Sequence, residues 1–566
     1  MQLEHTLFAL LLACSCTHSY AIQPQPPGDP AEPALVATMT IHGHDSLEIS
    51  YRIPATCEAL VFANAGMPMD AVIQMRSDWK AADDCTDLDF QSVRPRHPAC
   101  RVLRLHVPAT SRARDGRMYA NVPPWAQPFG DGLYAHTAAY TVDDKCGPTE
   151  WHFAAPGGTV VVDGKIGSER MRFKAPDAAT NAGGVPVLLL AQPYGHDMLP
   201  LYAESRIDEA TRSMLARTLE QARDALGTML PAHPLERGYM LVASSASPSL
   251  NSGKLSPHVL FLQVPAAPTP DLEQQARILI PHETAHLAQA VRWNEAWSED
   301  VRAIREGGAE FLRLAASVRI GWLSEDRYKD ELEAAVNSCL ISAAGKAWSA
   351  FDQRNAGLTA DRCGLTLHLL GMARKNDRLQ ALQRLQAYYR EARTGVPMNF
   401  ARAIECGGAT DCVARRLPRL LGKEPLAKIL HDEAREPDSL LHAQAGWGPT
   451  LVEVMVYRHL EQLLLEDCRP GATISHDKRA PRIGPGARCE SLRSGMAFKS
   501  AEGMPLFAGV SAIRSSARAC RRLGVTVLGL ANGERIKVPC GPSVALPAQV
   551  WAVDAVKAMQ MATGSP

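Results

Sequence analysis

The sequence predicts a multidomain α+β protein, and three observations lead there. At 566 residues the chain exceeds what one hydrophobic core usually organises. Its composition, 46% apolar and 21% charged, is that of an ordinary globular protein. Its texture changes along the chain, from short alternating runs to long periodic apolar segments and back again. Sixty basic residues balance sixty acidic ones, so bulk charge points neither to nucleic acid nor to an anionic membrane as a partner.

The amino terminus reads as an export signal over residues 1–21. "TLFALLLAC" is a short apolar core, and "SYA" (19–21) ends in the small-x-small pattern of a cleavage site. The first residues, "MQLEHT", lack Lys and Arg, and Cys14 in "LLAC" permits a lipoprotein anchored through that cysteine. No later segment has the roughly 18 continuous apolar residues of a spanning helix. The expectation is an exported protein, periplasmic or secreted, without a transmembrane span.

"IQPQPPGDPAEP" (22–33) reads as an extended Pro-rich linker. Residues 34–165 hold alternating runs such as "LEISYRI" between Gly, Pro and Asp, which predicts a β-sandwich-like domain. Residues 186–320 are mixed α/β, beginning with the buried-strand run "VPVLLLAQ" and a long amphipathic helix over 207–230. "GYMLVASS" and "PHVLFLQV" then read as two strands joined by a Ser/Asn/Gly-rich turn. Residues 321–466 are helical, with "RLQALQRLQAYYREAR" among the clearest 3.6-residue periods, and the basic run "RRLPRLLGK" (415–423) reads as a solvated helix face. Residues 467–566 return to a small β-rich domain.

Fourteen cysteines occur, and removal of Cys14 and Cys16 with the signal leaves twelve. Those twelve fall in local groups and none forms C-x-x-C, which argues for disulfides within domains and against a thiolate zinc site. Spacing alone does not fix the pairing.

The chemistry concentrates in "LIPHETAHLAQ" (279–289). On a helix, residues four apart share a face, so His282 and His286 can hold one metal ion with Glu283 beside it. Thr269-Pro270 starts this helix, and Pro281 either kinks it or opens a second one. Two half-exposed histidines at helical spacing would show the same pattern, so a third ligand decides. A second helix begins at Ser298 in "WSEDVRAIREGGAEFLRLAA" and carries Glu306 immediately before Gly307 and Gly308. Two glycines inside a helix each cost about 1 kcal/mol relative to alanine, and close approach of the metal-bearing helix would account for them.

The pattern His282-Glu283-x-x-His286, nineteen residues, then Glu306 in "REGGAEF" resembles the gluzincin zinc metallopeptidases. The layout is most similar to the glycyl-aminopeptidase-like group, and next to aminopeptidases with a G-x-M-E-N strand. The resemblance covers residues 34–466. It implies a thermolysin-like catalytic domain over 186–320, with one Zn2+ held by His282, His286 and Glu306. It also implies Glu283 as general base and a peptide or protein substrate. Glu310, one turn after Glu306, either orients a ligand histidine or is solvated. "LRSGMAFKSAEGMPLF" and "VTVLGLANGERIKVPC" resemble the carboxyl-terminal part of a PDZ domain. A small disulfide-stapled β-domain is the other reading of that region.

Two departures from the family pattern stand out. No G-x-M-E-N strand occurs, and "SGKLSPHVLFLQV" (252–264) takes the corresponding place as a candidate edge strand for peptide backbone. Asp361, in "DRCGLTLHLLG", falls where the family places its oxyanion tyrosine. The sequence therefore carries two readings, an exported zinc peptidase acting at peptide amino termini and a decayed peptidase scaffold that binds peptide or protein.

Overall fold

The computed structural model describes residues 35–564. Its longer internal omissions are 64–75, 110–125, 175–183, 194–200, 232–238, 246–250, 290–298, 351–356, 373–379, 394–423 and 541–545, with further interruptions of up to four residues. The signal, Cys14, the linker, Ser298, Cys406, Cys412 and the run 415–423 lie outside the described residues.

The fold is mixed α+β, with ten α-helices among the described residues. The amino-terminal strands form one nine-stranded sheet beside a small three-stranded one, not two facing sheets of similar size. At its centre β1 (Leu35–His42) runs parallel to β2 (Thr149–Val162), and the other neighbours are antiparallel. Alternation decides which side chains point inward: Leu35, Ala37 and Met39 of β1 are buried, as are Leu47, Ile49 and Tyr51 of the next strand. The run read as the start of the mixed region, β3 (Pro186–Leu190), belongs to this sheet instead. It pairs with Thr159–Val162, where a register shift after Ala154 brings Gly158 against the Leu190 carbonyl at a point too close for a Cβ.

The mixed region begins after that strand. Helix α1 (Glu209–Met229) is capped by Asp208, whose side chain accepts from the Thr211 backbone N–H at 2.8 Å. The two apolar runs are strands as read, β4 (Tyr239–Ser245) and β6 (Val259–Pro265), but they lie parallel and not as a hairpin. The intervening segment supplies β5 (Asn251–Ser256), antiparallel to β6 and at the sheet edge, so the chain reverses twice.

Helix α2 (Leu272–Gln289) runs through Pro281, and α3 (Glu299–Ile320) follows it. Then come α4 (Glu325–Ala343), α5 (Gly357–Gly371), α6 (Ala381–Arg393), α7 (Leu426–Ala434) and α8 (Pro449–Asp467). Helix α3 lies at the centre of the largest core, with Ile304, Phe311, Leu312 and Ala315 buried among α4, α5 and α6 residues. Among the described residues five disulfides join local pairs: Cys57–Cys146, Cys85–Cys100, Cys339–Cys363, Cys468–Cys489 and Cys520–Cys540.

After α8 the chain builds a four-stranded sheet from β7 (Phe498–Ala501), β8 (Met504–Pro505), β9 (Val525–Leu530) and β10 (Arg535–Pro539), with α9 (Ser511–Leu523) packed on it. The stretch 467–566 does not close on itself. Strand β11 (Val550–Val553) and α10 (Ala555–Thr563) return to the α3–α4 core. There Asn337 exchanges two hydrogen bonds with the Trp551 backbone, at 2.7 and 2.9 Å, and Arg319 donates to Ala562 O and Thr563 O.

His459 of α8 is hydrogen-bonded through Nε2 to Ser516 Oγ of α9 at 2.7 Å, and its Nδ1 has no partner among the described residues. Burial depresses its pKa from the usual 6.5 to about 4. The folded state therefore prefers neutral imidazole. The associated stability is fully present above pH about 6.5 and is lost as pH falls towards about 4, on the order of 3 kcal/mol. We expect His459→Gln to flatten the acid side of a thermal-unfolding profile over that window. An unchanged acid slope would contradict this role.

Candidate metal centre

The centre is built where α2 and α3 pack against each other. His282 and His286, one turn apart on α2, put their rings 4.8 Å apart and edge-on. Glu306 of α3 enters between them: its Oε2 stands 3.1 Å from His286 Nε2 and 3.4 Å from His282 Nε2. The donor atoms of all three residues lie within 4.8 Å of one another. Tetrahedral zinc with bonds of about 2.0–2.1 Å separates its ligand atoms by about 3.3 Å, so the two His–Glu separations fit that metal.

Each histidine is held from behind. His282 Nδ1 meets Glu310 Oε2 at 3.1 Å, and Arg313 donates to both Glu310 oxygens at 2.8 and 2.6 Å. His286 Nδ1 meets Gln289 Oε1 at 2.9 Å. The Gln289 amide then donates to the Arg305 carbonyl at 2.8 Å and to the Tyr389 hydroxyl at 3.2 Å. With both Nδ1 atoms engaged, both Nε2 atoms are left facing Glu306, the ring orientation that metal ligation through Nε2 requires. Of the two readings of Glu310, the geometry shows it hydrogen-bonded and partly buried, not solvated.

The electrostatics are those of a site lined by carboxylates. Burial alone would lower the His282 pKa. Hydrogen bonds to Glu306 and Glu310, with the charges of Glu310 and Glu283, lift it well above the ordinary value instead. Burial would raise Glu306, but the His286 charge and hydrogen bonds from both histidines hold it far below the usual carboxylate range. Glu310 is likewise held down against burial, chiefly by Arg313. Glu283 is partly buried and close enough for its charge to act on both His282 and Arg305. Asp361, on α5, is raised to about 6 by burial and by repulsion from Glu306 and Glu310, with His282 pulling the other way. It therefore shares the field of this centre.

Of the two glycines after Glu306, Gly308 faces the metal-bearing helix as expected, through Gln289, whereas Gly307 serves a different neighbour. A Cβ at Gly307 would overlap the backbone of Gly364 on α5, and one at Gly364 would overlap the Ala303 carbonyl. The close approach is thus α3 to α5. Gly308 leaves room for the Gln289 amide, which would stand 2.9 Å from its Cβ, and for the Tyr389 hydroxyl. Gln289, Arg313 and Tyr389 escaped the sequence reading. The first two sit one helical turn beyond His286 and Glu310, so the helical spacing that paired the two histidines at i, i+4 could have found them at i, i+3.

Among solved structures, an aminopeptidase N family protein from Idiomarina loihiensis aligns with 94% of this chain and 100% of its own, at 14% identity and a TM-score of 0.54. The chain has an aminopeptidase-like fold. At that identity the likeness is one of architecture alone. A yeast LTA4 hydrolase in complex with bestatin aligns with 78% of this chain and 75% of its own, at 11% identity and a TM-score of 0.38, too low to carry an argument. No protein-family model and no curated protein matches the sequence.

Proposed function

We propose that the protein is an exported zinc metallopeptidase of the gluzincin kind, hydrolysing peptides at their amino termini. The observation that carries this reading is the convergence of His282, His286 and Glu306 at separations of 3.1 and 3.4 Å about one point. The placement next to the glycyl-aminopeptidase-like group and the PDZ-like reading of the carboxyl-terminal sheet belong to the same proposal.

In this reading His282, His286 and Glu306 hold one Zn2+. The ion, when bound, polarises the scissile carbonyl and lowers the pKa of water at the site. Glu283 accepts the water proton and delivers it to the leaving amine. Glu310 and Gln289 keep the two imidazoles in the tautomer that leaves Nε2 unprotonated, and Arg313 holds Glu310 ionised. Edge strand β5 offers main-chain groups along which an extended substrate can pair.

The experiment is a screen of aminoacyl and peptide substrates before and after chelation. Hydrolysis should disappear with the metal and return on addition of stoichiometric zinc. Asp361, raised to about 6 and within the field of the centre, favours a second reading. There the scaffold binds zinc and peptide but has lost the donor that stabilises the oxyanion, an interaction worth about 3 kcal/mol. Zinc bound at one ion per chain with no cleavage of any substrate would select that reading.

A further inference from the structure

The neutrality of the whole chain conceals an uneven distribution. Residues 468–540 hold thirteen Lys and Arg against four Asp and Glu, so the remainder is acidic by the same margin. Helix α9 lies within this stretch. Its Ala512, Ile513, Ala517 and Cys520 are buried in the core shared with β7 and β9, whereas Arg514, Arg518, Arg521 and Arg522 are exposed. At 3.6 residues per turn those four arginines fall within an arc of about 100°.

Helix stability does not account for this row. Arg521 and Arg522 stand in the last turn, where the helix dipole favours cations, but Arg514 is close to the amino-terminal end, where the dipole disfavours one. Among the described residues no carboxylate forms a salt bridge with Arg514, Arg518 or Arg522. The row ends at Leu523, which is 70% exposed, just before the left-handed Gly524 that terminates the helix. One exposed leucine is ordinary on a surface. At the end of four arginines it completes the pairing of cation and apolar group that suits a lipid headgroup boundary.

We propose that α9 docks the protein on an anionic phospholipid surface, its arginines on the phosphates and Leu523 at the acyl boundary. A convex helix face, not a groove, suits a flat bilayer better than an acidic peptide. The disulfides Cys468–Cys489 and Cys520–Cys540 belong to the same basic stretch. They mark an oxidising compartment, where membrane headgroups and not nucleic acids are the abundant anions. With no helix long and apolar enough to cross a membrane among the described residues, attachment by this face would be peripheral.

The test uses the full chain and two kinds of vesicle, phosphatidylcholine alone and phosphatidylcholine with about one-third phosphatidylglycerol. The protein should sediment with the anionic vesicles only, and less so as salt rises. Replacing Arg514, Arg518 and Arg522 by Gln should weaken binding about fivefold per arginine, with circular dichroism unchanged because all three side chains are exposed. Leu523→Ser should weaken binding while preserving its salt dependence. Equal binding to both vesicles, binding to neither, or wild-type binding by the triple Gln variant would each overturn the proposal. So would polyglutamate that competed as well as vesicles of the same total charge, which would assign the face to an acidic protein.

Discussion

Glu283→Gln is expected to lower peptide hydrolysis by about 10²–10⁴-fold while leaving zinc content unchanged. The amide is nearly isosteric with the carboxylate, so packing on α2 is preserved, but it cannot accept and release the proton. Glu283 acts on His282 through its charge and is outside the three-residue donor cluster, so zinc content is expected not to depend on it. Parallel measurements of zinc per chain and of kcat separate the two roles. A variant that lost zinc along with activity would show that Glu283 is needed to build the centre.

The second large effect is structural. Gly307 and Gly364 bring α3 and α5 to backbone contact directly after Glu306, and a Cβ at either position overlaps main-chain atoms that no rotamer change can move. Gly307→Ala should therefore force the helices apart, costing at least about 3 kcal/mol, at the upper end of the usual range for overpacking. Glu306 rides on the displaced helix, so zinc affinity should fall with the unfolding temperature. Thermal unfolding with and without zinc checks this. Alanine tolerated at Gly307 with unchanged metal affinity would show that the contact does not position the ligand.

These two residues show what was legible in the sequence and what was not. His282, His286 and Glu306 stood out because the two histidines obey helical spacing and the glutamate lies one short connection away. Strands such as β1 and the next were legible through alternation, and α1 through its amphipathic period. The partner of Gly307 was not legible. A glycine in a helix announces a close neighbour but not which one, and Gly364 lies 57 positions downstream. Parallel pairing of β4 with β6 was hidden for a related reason: an apolar run has no direction, and β5 between them reads as a turn. The return of Trp551 and Met561 to the α3–α4 core likewise depends on contacts more than two hundred residues apart in sequence. The disulfides fell between these cases. Local grouping of the cysteines agreed with the five observed pairs, while Cys57–Cys146 enclosing Cys85–Cys100 could not be told from the alternatives by spacing.

The most direct test of the account is zinc per chain in wild type, His286→Ala and Glu306→Ala, measured by elemental analysis after dialysis against a weak chelator. His286→Ala is a control that any HExxH site would share. Glu306→Ala tests the fold, because a carboxylate twenty positions beyond His286 is a ligand only if α3 brings it there. Wild type should hold about one zinc per chain, and both variants should be strongly depleted. Glu306→Ala retaining zinc at the wild-type level would contradict this.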